Sequence, residues 1–195
     1  MDPRDIYELL RNLTTPLVCV TTAWRGKKNG LIINSAIRGS LVPGRPRVAI
    51  FLLKRNLTHD LVFESGIFGL HLLHGDQWEL IHRLGFVSGR DRDKLADVPH
   101  HEGTTGAPLL DDAYARFDCR VVNCMDAGSA TCFLGEAMHV ERGTGDTLMT
   151  SDRWRELMPS EWRAEYERNL ADAQEWAAGL ADRIKAVIWP GLRET

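Results

Sequence analysis

The sequence lacks the patterns that define several common classes of protein. No stretch approaches the ~20 consecutive apolar residues that a membrane-spanning helix needs. No G-x-G-x-x-G follows a predicted strand, which argues against a doubly wound dinucleotide-binding sheet. The formal net charge of −3 gives no electrostatic reason to expect nucleic-acid binding. The charged N-terminus, MDPRDIYELL, is unlike a secretory signal, so we expect a cytoplasmic protein without a membrane segment.

Cysteine and histidine are present, but not at the spacing of a metal site or a disulfide framework. His71 and His74 lie three residues apart in a predicted strand and should point to opposite faces, and His100 and His101 are adjacent in a predicted loop. We therefore expect no metal site. The cysteines form no C-x-x-C pair and are expected to be buried thiols; they are Cys19, Cys119, Cys124 and Cys132.

Apolar periodicity predicts a mainly β protein, a β-barrel with short helices. A chain of 195 residues with 44% hydrophobic content is long enough for one domain with a sizeable core. About six strands are expected, over 16–22, 31–37, 48–53, 67–73, 114–124 and 131–142. The Asn29-Gly30 pair is predicted to form the hairpin turn between the first two. Helices are expected over 5–13, from a Thr58 cap to Gly66, over 76–85, and as one turn over 93–96.

Beyond residue 150 the pattern becomes helical. Apolar residues recur at spacings of three and four from Trp162 to Val187, which predicts one long amphipathic helix after a shorter helix over 154–158. We expect a domain over 1–150 and a C-terminal helical extension over 151–195, packed on that same domain. The long helix could lie on the barrel, form a dimer interface, or cover a functional site, and the sequence leaves these alternatives open.

Cationic and polar side chains gather where the strand predicted over 48–53 gives way to a helix. Lys54, Arg55, Asn56 and Thr58 follow one another there. Free N–H groups at the start of a helix, together with such side chains, suit a phosphate group. The alternative is a solvated strand end with a threonine cap.

A series of short motifs surrounds this cluster in a fixed order. The motifs are Asn29-Gly30, Asn34-Ser35, Ser40-Leu41-Val42-Pro43, Asn56-Leu57-Thr58-His59-Asp60, Glu64-Ser65-Gly66, the segment 88–94, the segment 106–109, Cys119-Arg120-Val121 and the segment 133–136. Over roughly residues 12–142 they resemble the flavin reductase-like family of FMN-binding split barrels. The resemblance implies an FMN-binding split β-barrel with a C-terminal helical extension, and a homodimer.

The resemblance also implies which residues hold FMN. Lys54, Arg55, Asn56, Thr58 and Ser40 would bind the phosphate, and the segment 33–35 would offer hydrogen bonds to one edge of the ring. The full set is Ile33, Asn34, Ser35, Gly39, Ser40, Lys54, Arg55, Asn56, Thr58 and Arg92. No residue is assigned as catalytic, because hydride transfer depends on positioning rather than on a strong acid or base.

The function implied is that of an FMN-dependent oxidoreductase. NADH or NADPH would deliver hydride to flavin N5, and electrons would pass to a redox partner or a monooxygenase. Many nicotinamide-using relatives carry a histidine in a G-D-H-T pattern, whereas this chain has Ala130 in Gly128-Ser129-Ala130-Thr131. The alternative is therefore a flavoredoxin-like electron carrier without its own NAD(P)H site. Flavin storage, or a barrel that binds haem or pyridoxal phosphate, is also conceivable, since a fold alone does not fix the ligand.

Overall fold

The computed structural model describes Ile6 and residues 9–13, 16–187 and 189, and it confirms the mainly β architecture. A 3-10 turn, Arg11–Leu13, comes first. The strands are β1 (Val18–Trp24), β2 (Lys27–Ile33), β3 (Ala36–Arg38), β4 (Arg47–Leu53), β5 (Ile67–Leu72), β6 (His100–Glu102), β7 (Pro108–Leu110), β8 (Ala115–Asp126) and β9 (Ala130–Arg142). The α-helices are α1 (Leu57–Ser65), α2 (Trp78–Gly85), α3 (Ser151–Leu157) and α4 (Ser160–Ala178).

Seven of the strands form one antiparallel sheet in the order β2-β1-β5-β8-β9-β4-β3. The two edge strands, β2 and β3, are joined by only Asn34 and Ser35, which span at most about 11 Å when extended. The sheet must therefore curl until its edges approach each other. The β8–β9 pair has register shifts between Asp118/Cys119 and Val121/Asn123, and such irregularities bend these two longest strands and so add to the curl of the sheet. The result is a curled half-barrel.

The core has two parts, one on each face of the sheet. Val18 and Val20 of β1 face the barrel interior with Phe68 and Phe133, whereas Cys19 faces a second cluster between the sheet and helices α2 and α3. The strand alternation of period two explains this division, because successive side chains point to opposite faces. Both faces of β1 are thus covered by core residues.

The first hairpin turn is not where the sequence predicted it. Arg25 and Gly26 form the turn, with φ of 48° and 77°, and Trp24 pairs with Lys27. Two positive φ angles are typical of a type I′ hairpin. Asn29 instead lies within β2, buried, and its amide donates to Thr58 Oγ1 at 2.9 Å. The prediction was wrong because this tertiary hydrogen bond outweighs the local turn preference of an Asn-Gly pair.

Helix α1 begins earlier than predicted but ends as predicted. Asn56 rather than Thr58 is the residue before the first helical turn, and Thr58 is buried within that turn. Gly66 ends the helix with φ of 70° and donates its N–H to the carbonyl of Val62, which confirms the predicted glycine stop. Helix α2 likewise ends at Gly85, although Gln77 and not Asp76 precedes its first turn.

Two helical predictions fail and one is only partly described. The C-terminal helix ends at Ala178, and the following chain returns to the β8–β9 turn, where the Lys185 N–H donates to Asp126 Oδ2 at 3.2 Å. No helical turn forms over 93–96, because the Asp93 carboxylate accepts the Leu95 N–H instead. Residues 5, 7 and 8 of the first predicted helix lie outside the described residues.

The described ranges contain no helix long and apolar enough to cross a membrane. Within the same ranges, no group of three or more histidine, cysteine, aspartate or glutamate side chains is arranged to hold a metal ion. All four cysteines are free, and burial raises the pKa of the Cys19 thiol to about 12, so this sulfur is unreactive at neutral pH.

Gly135 allows a close approach in the barrel core that any larger residue would prevent. A Cβ at this position would lie 2.6 Å from Cε1 of the fully buried Phe68. We expect Gly135→Ala to lower the free energy of unfolding by about 1–3 kcal/mol, because the ring must leave its rotamer or the strands must separate. Chemical denaturation measures this change.

Gly44→Ala is the matched control, since a Cβ at Gly44 meets nothing within 4 Å and its φ is not positive. Equal stability of the two variants would show that the core adapts to the added methyl group.

Candidate functional site

Two cavities meet at the corner where β4 leads into α1. The first, of about 580 Å³, is lined mainly by polar groups and is called the polar cavity here. The second, of about 430 Å³, is lined mainly by carbon and is called the inner apolar cavity. Both have the size of small-molecule sites. They share Leu31, Ile32, Leu53, Asn56, Gly85 and Phe86, so one ligand can extend through both.

The polar cavity combines a helix start with three cations. Residues 56–58 at the start of α1 line it, and no side chain caps the first N–H groups of this helix. Such N–H groups attract an anion. The cationic residues in its wall are Arg55, Arg90 and Lys94, and two carboxylates, Asp91 and Asp172, also lie in the wall.

Lys94 is the most deeply placed of these cations, with 3% of its surface exposed. Its Nζ donates to the carbonyl of Leu84 at 2.7 Å, and this is its only hydrogen-bond partner within the described ranges. Burial lowers the pKa of Lys94 to about 8. An ammonium group can donate three hydrogen bonds, so Lys94 can still bind an anion in the cavity.

The rest of the polar wall is held by close contacts between β2, α1 and the loop after α2. Arg90 pairs with Asp60 of α1 at 2.6 Å. Gly89 packs directly on the amide of Asn29, where a Cβ would collide with that side chain. Asn29 in turn donates to Thr58. The loop is therefore fixed against the start of α1, and a side chain at position 89 would push the two apart.

The inner apolar cavity is lined mainly by apolar side chains, with a few polar groups among them. Residues 33–35, at the junction of β2 and β3, line one side. Trp154 of α3 lies on another side, buried and stacked on Trp78 with ring centroids 5.5 Å apart. Tyr166 and Leu170 of α4 complete the wall.

Helix α4 extends over both cavities. Asn169, Asp172 and Ala173 line the polar cavity, one turn beyond the residues that line the apolar one. Arg55 holds the helix there, since its Nη1 donates to the carbonyl of Asp172 at 3.1 Å and its guanidinium lies 5.8 Å from the ring centre of Trp176. Helix α4 thus contributes to the walls of both cavities, and its Trp162 and Tyr166 pack against the second core cluster. Packing of the whole extension on the barrel domain stays a prediction.

Six of the ten residues predicted to bind a ligand line these cavities. Ile33, Asn34 and Ser35 lie in the inner apolar cavity, Arg55 and Thr58 in the polar cavity, and Asn56 in both.

The other four lie elsewhere in the chain. Lys54 donates to Asp126 Oδ1 at 2.6 Å and to the carbonyl of Gly128 at 2.7 Å, so it holds the β8–β9 turn. Ser40 lines a separate groove of about 470 Å³, called the outer groove here, and the N–H of neighbouring Gly39 donates to the carbonyl of Arg47 at 2.7 Å. Arg92 lines a third cavity beside His74. Their role in ligand binding stays a prediction.

Sequence reasoning missed several residues that line the site. Lys94 ends the motif segment 88–94, but nothing in its sequence context indicates that it is buried. Asn29 was interpreted as a turn residue. Trp154 and Tyr166 belong to the helical segments, which lie at a distance in sequence from every motif, so no local signal could place them in the cavity wall.

Comparison with known proteins identifies the family and the fold. The model of the flavin reductase like domain matches residues 10–156. The ferric-chelate reductase (NAD(P)H) of Archaeoglobus fulgidus is 35% identical over 143 residues, which is 72% of this chain and 81% of that protein. The FMN reductase (NADH) SmoA of Agrobacterium fabrum is 30% identical over 148 residues, which is 76% of this chain and 82% of that protein. The structure of the NADH:FAD oxidoreductase SgcE6 of Streptomyces globisporus is similar with a TM-score of 0.66 at 26% identity, covering 77% of this chain and 90% of that one.

The position of Lys54 predicts a role in stability. Replacing it in Lys54→Met leaves the buried Asp126 carboxylate without its cation and should lower the free energy of unfolding by about 1 kcal/mol at neutral pH. The hydrogen bond from Lys54 holds the pKa of Asp126 below its usual value. The pair therefore stabilises the fold above about pH 4, and this contribution is lost as the pH falls through the lowered pKa.

Urea denaturation at neutral and acid pH should thus show a difference between parent and variant that shrinks in acid. Lys27→Met, at an exposed position of β2, is the control and should match the parent. A Lys54→Met variant as stable as the parent at neutral pH would contradict this assignment.

Proposed function

The chain belongs to the flavin reductase-like family, and we propose that its joined cavities hold FMN, with the phosphate in the polar cavity and the ring in the inner apolar cavity. The observation that carries this proposal is that the two cavities adjoin. The polar cavity, with its cations and helix start, shares Asn56 and five apolar or glycine residues with the apolar cavity. The protein is an FMN-dependent oxidoreductase. When bound, the flavin would take hydride from NADH or NADPH at N5 and pass electrons onward.

The chain's own residues bind the phosphate and neutralise its charge. The start of α1 offers N–H groups, and Lys94 and Arg90 place positive charge on the opposite wall. A phosphate carries about two negative charges near neutral pH, which these groups offset in a partly closed cavity. Arg55, already engaged with α4, connects phosphate binding to the position of that helix.

The residues of the inner apolar cavity orient the ring and exclude water. Ser35 and Asn34 offer polar groups at the strand junction, and Ser35 Oγ donates to the carbonyl of Phe51 at 2.9 Å, which fixes this corner. Hydrogen-bond donors along one edge of the ring stabilise its reduced form. No acid or base is required of the protein, since the reaction depends on holding two flat groups against each other.

A second candidate function rests on Ala130. This residue lines the inner apolar cavity, at the position where the family pattern places a histidine. Its methyl group cannot hydrogen-bond an incoming nicotinamide, and α4 covers part of the same cavity. The alternative is therefore an electron carrier whose flavin is reduced by a protein partner rather than by free NAD(P)H.

We also propose that the chain works as a homodimer through the outer groove. The groove is lined by apolar residues, and exposed apolar side chains surround it, namely Ile37, Leu41 and Val42. Such a patch supports an interaction surface. Gly39 and Ser40 lie on this face and could act at the flavin of a partner subunit. A monomeric mass in sedimentation would contradict this part of the proposal.

Two further predictions from the sequence stay proposals. The extension over 151–195 belongs with the barrel in one domain, and packing of Trp154 and Met158 into the second core cluster supports this. A cytoplasmic location also remains a prediction.

Lys94 predicts a pH-dependent affinity for FMN. Lys94→Met should raise the Kd for FMN by about tenfold or more, because a charge-assisted hydrogen bond is lost. In the parent, affinity should fall as the pH rises through about 8, where Lys94 loses its proton. Titration of flavin fluorescence over a series of pH values measures both effects.

Lys27→Met is the matched control, the same chemical change at an exposed position of β2 that lines neither cavity, and its affinity should equal that of the parent. An unchanged Kd for FMN in Lys94→Met, or the same dependence of that Kd on pH in the variant and the parent, would show that Lys94 does not bind the phosphate.

The reductant is identified by visible absorbance under anaerobic conditions. We expect the flavin band to be perturbed on binding and to bleach rapidly with NADH or NADPH. A bound flavin that stays oxidised with both donors, but is reduced by a reductase protein, would favour the carrier; Ala130→His should then restore bleaching. A band identical to that of free FMN would contradict FMN binding itself.

A further inference from the structure

Ser151 presents a buried hydroxyl that the protein does not use. It is the first residue of α3, is 4% exposed, and lines the inner apolar cavity. Its Oγ has no hydrogen-bond partner within the described ranges. Thr150, not Ser151, caps the helix, because the Thr150 hydroxyl accepts the N–H of Arg153 at 3.1 Å.

An unpaired buried hydroxyl is costly to keep. Such a group has given up its hydrogen bonds to water without gaining one in the protein. Ser35, in the wall of the same cavity, shows the ordinary arrangement, since its hydroxyl donates to the carbonyl of Phe51. Within the described residues, the fold therefore provides a hydrogen-bond partner for the hydroxyl of Ser35 but none for that of Ser151.

We propose that Ser151 is a positioning residue whose hydroxyl hydrogen-bonds the polar edge of the flavin ring. The inference rests on the proposed function, which places that ring in the inner apolar cavity. Other polar groups in this wall come from Asn34 and Ser35 at the β2–β3 junction, from Asn56 before α1, and from Tyr166 of α4. Ser151 supplies the one hydroxyl from α3 and so fixes the ring from a second side.

The setting of α3 favours a resident ring over an exchanging substrate as the partner. Trp154, one turn beyond Ser151, is buried and stacked on Trp78, and Met158 at the end of the helix is also buried. The hydroxyl is thus held rigidly in a wall where water access is small. A ring that stays bound through turnover would hydrogen-bond this hydroxyl at all times and so offset the cost of removing it from water. A substrate that leaves in each cycle would offset that cost only while it is bound.

Ser151→Ala tests this directly. The variant should bind FMN about 3- to 10-fold more weakly, as expected for loss of one net hydrogen bond. The midpoint potential of bound FMN should also shift, because an edge hydrogen bond affects the oxidised and reduced rings differently. The variant without flavin should unfold at the same temperature as the parent, or higher, since it loses only an unpaired group.

Ser35→Ala is the matched control, the same chemical change in the same cavity at a hydroxyl that the fold uses. Its flavin-free form should be less stable than the parent. Ser151→Cys keeps a weak donor of similar shape and should give intermediate affinity and potential.

The outcomes separate this inference from the proposed function. Unchanged FMN affinity and potential in Ser151→Ala, with a parent that binds FMN, would overturn the role of Ser151 and leave the function intact. Loss of stability in its flavin-free form would mean a structural role and also overturn it. A change confined to the KM for NADH or NADPH would assign the hydroxyl to the nicotinamide instead. A parent that binds no FMN would overturn the proposed function and this inference together.

Discussion

The corner between β4 and α1 holds together the parts of the molecule that enclose both cavities. Three consecutive side chains leave it in different directions: Lys54 binds the β8–β9 turn, Arg55 binds α4, and Asn56 lines both cavities. The corner is itself fixed by β4, whose Ile50 and Leu52 are fully buried in the barrel. Packing of the barrel core therefore determines where these cavity-lining groups lie.

The two cavities retain polar groups that folding alone would not favour. Lys94 is desolvated with one carbonyl as its hydrogen-bond partner, and Ser151 is buried with no partner in the described part of the chain. Each lies in a wall where a ligand can supply the missing interaction. Functional sites are where a protein tolerates such costs in stability, and the location of these two groups therefore supports the proposed site.

Local patterns predicted β1, β4, β5, β8, β9 and several helix ends, because those depend on residues near one another in sequence. They missed β6 and β7, and the strand predicted over 31–37 is divided into β2 and β3. The alternation in β8 and β9, the glycine stop at Gly66 and the clustering of residues 55–58 are of this kind. Predictions failed where a distant contact decided the outcome. Asn29 joins Thr58 rather than making a turn, and the chain beyond Ala178 returns to the β8–β9 turn, where the Lys185 N–H donates to Asp126, rather than continuing as a helix. No periodicity or motif encodes which of two suitable partners a side chain meets.

The walls of the site differ in how firmly they are held, and this difference bears on how a ligand enters. The barrel wall belongs to a hydrogen-bonded sheet, and α3 is anchored by the buried Trp154 and Met158. Helix α4 has no buried residue and contacts the rest through half-buried side chains such as Trp162 and Tyr166. Because the free energy needed to separate two elements increases with the apolar area between them, displacing α4 costs less than displacing either other wall. The contact of Arg55 with α4 is one of the restraints on this displacement, beside the stacking of His82 on Trp162, and it lies at the polar cavity.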